Sequence, residues 1–252
     1  MIGDREFIRA RGQKGKQPMS KFKPDSIEIL DFGMDGSKRC LSLGVQLTLQ
    51  ATYQALNLPE PVGYALRDRI TWQERTEITV ERAIRSPIQA PMFNATLLAL
   101  GAHVVFFEEE MGGPPLAEYM SRVGKKRGKL GAVRLPIEVP GRLWGEAHVS
   151  RTPNDKPIVA AIAVVDLESD HVVRSRLGLI GTWRETARLA EAAELLIGDP
   201  LTEENIGKVI KAVKAEVRPK GDYLGSETYR REMAGLLARR ALEACRKGAT
   251  AQ

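Results

Sequence analysis

Only two cysteines occur in the chain, Cys40 and Cys245, far apart and with no Cys-x-x-Cys pair. That scarcity argues against a disulfide framework and against a cysteine-built zinc or iron–sulfur site. Histidine is equally sparse: His103, His148 and His171 stand singly, with no second histidine at i+3 or i+4, and read as core or surface residues rather than ligands. No apolar run approaches the roughly 18 residues of a membrane span, which excludes a transmembrane helix. The opening MIGDREFIRARGQKGK has no apolar centre and no small-residue cleavage site, so no secretory signal is expected and a cytoplasmic protein is.

One-sided charge is also missing from most of the chain. The net charge is +6, but seven cations against two acids in residues 1–23 account for +5 of it, leaving +1 for the rest. A body so nearly neutral lacks the broad basic face that phosphate binding and counterion release require, so nucleic acid is not the expected partner. The basic segment itself reads as a solvated tail.

What is present is ordinary for a soluble globular protein: 43% hydrophobic and 28% charged residues in a chain of 252. That length allows two domains, and the pattern divides at residues 24–140 and 141–252 behind the 1–23 tail. In the first part SIEILDFG and CLSLGV form a hairpin across MDGSKR. Thr48 caps a helix through LQATYQAL, with Leu49, Thr52, Tyr53 and Leu56 on one stripe and Pro59 and Pro61 ending it. A short helix over 63–72 precedes RTEITVERAIRSPIQAP, which reads as irregular with an extended ITV. MFNATLLALG then reads as helix and AHVVFF as strand. Residues 109–145 have a linker composition, and AVRLPIEVP, with prolines at 136 and 140, suits an edge strand.

The second part has clearer periodicity. GEAHVS and VVRSRLGLIG alternate around the almost wholly apolar PIVAAIAVVDL, which predicts three antiparallel strands with the middle one buried. Three helices are predicted over 184–197, 202–217 and 226–247. Thr202 caps the second, whose stripe is Ile206, Val209, Ile210, Val213 and Val217, and Tyr229, Met233, Leu236, Leu237 and Ala244 line the third. The class is α+β, with the three-stranded sheet covered by a three-helix bundle.

Several of these segments resemble a known family. SRTPNDKPIVAAIAVV, RLGLIGTWRETARLAEAAELLIGDPL and GDYLGSETYRREMAGLLARRALEAC are similar, in order, to the hairpin, the strand–helix–Gly-x-Pro-Leu junction and the closing Tyr-Arg-Arg helix of the flavoprotein C-terminal domain in carbon monoxide and xanthine dehydrogenases. KPDSIEILDFG, GVQLTLQATY and LLALGAHVVFFE resemble the second lobe of that family's PCMH-type FAD-binding domain. The resemblance implies the FAD-carrying subunit of a molybdenum hydroxylase, with the FAD domain reduced to that lobe. Its partners would be a molybdenum-cofactor large subunit and an iron–sulfur small subunit, or further copies of itself. In that setting FAD passes electrons from the iron–sulfur clusters to an acceptor.

The resemblance also implies a cofactor position. The family's Thr-Ile-Gly-Gly-Asn turn corresponds to Thr79-Val80-Glu81-Arg82-Ala83, so Thr79 is the surviving phosphate or ribose contact, with Ser86, Arg151 and Asp155 as further cofactor-binding candidates. Two glycines are replaced there by Glu81 and Arg82. A Cβ crowds the backbone approach that pyrophosphate needs, and the Glu81 carboxylate repels it unless Arg82 or another cation offsets the charge. The alternative reading is a non-catalytic homologue that has lost FAD and acts as an assembly or interaction module. For Tyr229, Arg230 and Arg231 the expected role is a packing cluster with an ion pair at a helix start.

Overall fold

The computed structural model describes residues 24–32, 38–107, 113–121, 128–152 and 155–250. The basic segment 1–23, the turn between the first two strands and the first half of GKKRGKLG lie outside them. Two four-stranded antiparallel sheets organise the chain, and the α+β class expected from the pattern is the class observed.

The first sheet runs β1 (Ile27–Phe32), β2 (Lys38–Gly44), β4 (Leu130–Ile137), β3 (His103–Phe106) in spatial order. Strand β4 therefore lies inside the sheet and is not the edge strand that its prolines suggested. The conflict resolves locally: β3 pairs with β4 only as far as Arg134, so Pro136, opposite Cys40, has a ladder neighbour on one side alone.

Between β2 and β3 the chain is mostly helical. Helix α1 (Leu49–Tyr53) is capped by the Thr48 hydroxyl, which accepts from the Ala51 N–H at 3.1 Å. It is shorter than the pattern implied, and Leu56 is 85% exposed instead of continuing the stripe. Pro59 and Pro61 open the next helix, α2 (Glu60–Arg69), because proline fits the first helical turn, where an N–H has no internal acceptor. The segment read as irregular forms α3 (Trp72–Glu77) and α4 (Val80–Arg85), with only Ile78 and Thr79 extended between them. A reciprocal Thr71 and Glu74 capping box starts α3. Helix α5 (Pro91–Leu100) is buried along its whole length and ends on Gly101, whose φ of 75° is the left-handed C-cap conformation. Helix α6 (Leu116–Ser121) follows β3.

The second sheet runs in chain order, β5 (Arg142–Val149), β6 (Val159–Glu168), β7 (His171–Ile180), β8 (Ala187–Leu189). Three of these strands follow the predicted pattern. The fourth, with the 3-10 helix Glu191–Leu196 behind it, replaces the helix expected over 184–197. Residues Ala187, Arg188 and Leu189 complete the ladder of β7 opposite Ile180, Leu179 and Gly178, so pairing at an open sheet edge takes the first part of the expected helix and leaves the AEAAELL run a single 3-10 segment. Two long helices remain, α7 (Glu203–Glu216) and α8 (Glu227–Thr250). The α7 stripe is buried as expected. In α8 the buried line is Ala234, Leu237, Ala238, Ala241, Leu242 and Cys245, while Tyr229, Leu236 and Ala244 are exposed.

Strand β6 carries the packing on both sides. Val159, Ala161, Ala163 and Val165 face α7 and α8, whereas Ala160, Ile162 and Val164 belong to the core built around α5 and the first sheet. Two glycines admit the covering helices: a Cβ at Gly145 would lie 2.1 Å from the Ala241 carbonyl oxygen of α8, and one at Gly178 would lie 2.6 Å from the Ala95 carbonyl oxygen of α5.

Candidate functional site

Thr79, Glu81, Arg82, Arg85, Ser86 and Gln89 line a shallow surface pocket of about 380 Å³ around α4. Two of the four sequence-predicted cofactor contacts, Thr79 and Ser86, thus share one depression. The other two, Arg151 and Asp155, form an exposed ion pair with each other at 3.2 Å in the β5–β6 connection and do not line the pocket. That connection touches the far side of the same region through Lys156, whose ammonium donates to the Ile88 carbonyl at 3.2 Å.

The backbone donors at the start of α4 are committed to the protein. The Val80 N–H donates to the Leu47 carbonyl and the Glu81 N–H to the Val45 carbonyl, both at 2.9 Å. Arg82 N–H donates to the Thr79 hydroxyl at 3.2 Å and Ala83 N–H to the Thr79 carbonyl at 2.9 Å. Thr79 is therefore the N-cap of α4, and its antiparallel bridge to Thr48 ties the helix start to the end of β2 and the start of α1. The Glu81 carboxylate is offset by Arg85, at 2.7 Å, rather than by the adjacent Arg82.

A second polar cluster joins α2 to β5. The Tyr64 hydroxyl donates to Glu146 at 2.9 Å and accepts from Arg69 at 2.8 Å, and His148 Nδ1 lies 2.7 Å from the other Glu146 oxygen. Trp144 packs against Tyr64 with ring centroids 5.6 Å apart and donates its indole N–H to Glu60 at 3.3 Å. Desolvation raises the Tyr64 phenol above its ordinary value, with the Arg69 hydrogen bond opposing. Trp144, Glu146 and His148 alternate along one face of β5, a period-2 pattern visible in the sequence, but nothing local named Tyr64 as their partner. Nearby, Arg142 grips the buried Asp166 through two bonds of 2.7 and 2.9 Å and donates to the Pro136 carbonyl at 3.2 Å, linking the two sheets.

At the start of α8 the Arg230 guanidinium is buried. It makes two 2.8 Å bonds to Asp222 and donates to the carbonyls of Ile158 at 2.7 Å and Gly181 at 3.2 Å. The Arg230 bond holds the Asp222 carboxyl below its usual range, with the Leu224 and Gly225 N–H groups helping. Among the described residues no group of three or more His, Cys, Asp or Glu side chains gathers as a metal site, and no helix is long and apolar enough to cross a membrane.

Two closely packed helices on one face of a four-stranded antiparallel sheet, closed by the buried Arg230 and its partner Asp222, find a counterpart among known proteins. Residues 147–245 match the family model of the CO dehydrogenase flavoprotein C-terminal domain. The chain is similar to the FAD subunit of molybdenum hydroxylases. The medium chain of carbon monoxide dehydrogenase from Afipia carboxidovorans is 28% identical over 114 residues, 45% of this chain. That stretch spans 40% of the medium chain's own length. Among solved structures, carbon monoxide dehydrogenase from Hydrogenophaga pseudoflava superposes with a TM-score of 0.75 at 22% identity, over 89% of this chain and 78% of the other. Quinoline 2-oxidoreductase from Pseudomonas putida 86 gives 0.68 at 19%, over 88% and 78%. The shared fold thus extends well beyond the matched C-terminal layer into the first sheet and its helices.

Proposed function

We propose that this chain is a flavoprotein-family subunit of a molybdenum-hydroxylase-like oxidoreductase, and that it serves there as an assembly partner for a molybdenum-cofactor large subunit and an iron–sulfur small subunit. The observation that carries this reading is the match of residues 147–245 to a domain found in such flavoproteins, on a chain whose fold follows theirs over 89% of its length. In the family's reaction FAD supplies the electron relay between iron–sulfur clusters and a final acceptor. Here Thr79 serves as a helix cap, and Arg151 and Asp155 neutralise one another, so three of the four candidate contacts do structural work as they stand, and Ser86 alone lines the pocket without such a role. These occupied side chains favour the assembly role over the relay.

Co-expression with the large and small subunits of the same organism tests the proposal. The expected result is co-elution of the three chains on size exclusion, with molybdenum and iron in the shared peak. Elution of this chain apart from both partners, while those partners still bind one another, would sink it.

A further inference from the structure

The replaced glycines suggest that side chains alone keep a dinucleotide out, yet the backbone shows a deeper obstacle. A pyrophosphate bound at a turn needs N–H groups that point outward and have no other acceptor. At Val80, Glu81, Arg82 and Ala83 every N–H already donates within the protein, to Leu47, Val45, the Thr79 hydroxyl and the Thr79 carbonyl. Withdrawing the first two would cut the link between α4 and the β2–α1 connection. That connection is itself held, with Val45 N–H on the Gly131 carbonyl at 3.1 Å and Gln46 N–H on the Pro24 carbonyl at 2.9 Å. Side chains do not rebuild that cradle: Arg82 adds one guanidinium at the pocket, a point of charge without converging backbone N–H groups. The Glu81 and Arg85 pair cancels its own charge, and the Thr79 hydroxyl already accepts from Arg82.

We propose that the first turn of α4 is a closed structural joint, in which Val80 to Ala83 spend their donors on the protein, and that this chain therefore does not grip a dinucleotide pyrophosphate there even if glycine is restored. The residues present do not fit the family's cofactor at this position. The proposal concerns the isolated chain, so its failure leaves membership of a complex untouched, and loss of complex membership leaves it standing.

The test uses the full chain and its Glu81→Gly/Arg82→Gly variant, titrated with FAD and with inorganic pyrophosphate by calorimetry, with amide exchange followed by NMR. The expected result is no saturable binding by either protein up to about 1 mM ligand. The Val80 and Glu81 amides of the unmodified chain should exchange at least about 100-fold more slowly than unprotected ones. Dinucleotide binding that leaves these amides unshifted puts the ligand elsewhere and upholds the closed joint. Saturable FAD or pyrophosphate binding that shifts the Val80 to Ala83 amides, or a gain of such binding in the glycine variant, overturns it. Fast exchange of the Val80 and Glu81 amides in the unmodified chain overturns it as well, whatever the fate of the variant.

Discussion

Arg230 shows how much one side chain can hold. Its guanidinium joins the start of β6, the end of β7 and the loop before α8 through four hydrogen bonds, and no shorter or uncharged side chain reaches all of them. Arg230→Ala is expected to lower stability by about 2–4 kcal/mol, since it strands two carbonyls and frees a carboxylate; urea unfolding would show this, and a change under about 0.5 kcal/mol would refute it. The Asp222 carboxyl, shifted below its unfolded value near 4, adds stability that is complete above that value and lost as pH falls through the lower folded one. The acid limb of an unfolding curve should flatten in Asp222→Asn. Both cysteines are buried, and desolvation raises their thiols, Cys245 to about 12, so neither forms a thiolate near neutrality. A disulfide exchange reagent at pH 8 should label neither thiol in the native chain and both in guanidinium.

At the level of elements, the helices α4 and α8 invite opposite experiments. Thr79→Ala removes a cap and should cost about 1 kcal/mol by thermal or urea unfolding, a loss a purely ligand-contacting residue would not produce. Gly145→Val forces β5 away from α8, because the new Cβ falls on the Ala241 carbonyl; a loss of about 1–3 kcal/mol is expected, and an unchanged midpoint would show that the contact relaxes freely. Strands β5, β6 and β7 of the second sheet were legible because alternation and a continuous apolar run each have one simple structural solution. Helix α3 was missed although its Thr71-x-x-Glu74 capping pair stands in the sequence, because the β-branched Ile78, Thr79 and Val80 suggest an extended segment. Strand β8 was not legible: its pairing is decided by the vacant edge of β7, a long-range fact that no window of Ala and Glu residues contains. Of the four contacts that the resemblance named, the structure brings only Thr79 and Ser86 to one pocket, and the acceptors facing the turn come from Val45 and Leu47, more than thirty residues upstream. Side-chain periodicity does not report where a carbonyl points.

For the whole molecule the decisive feature is the sharing of β6 between two cores. Removing either half would leave a row of methyl and branched side chains in water, with an order of 0.8 kcal/mol lost for each CH₂ group uncovered. The separate 142–252 fragment is therefore expected to bind a hydrophobic dye and aggregate, whereas the intact chain should melt in a single transition with coincident near- and far-UV circular dichroism signals. A soluble, dye-silent fragment would contradict this coupling.

Ala161 and Ile162 are adjacent in the chain yet point into different cores, so a disturbance on one side of the strand is transmitted across a single backbone. A party wall of this kind leaves no seam along which the two halves can swing. Whatever adjustment the proposed docking with other subunits demands has to come from the rims of the molecule, and its centre would meet them as one stiff block.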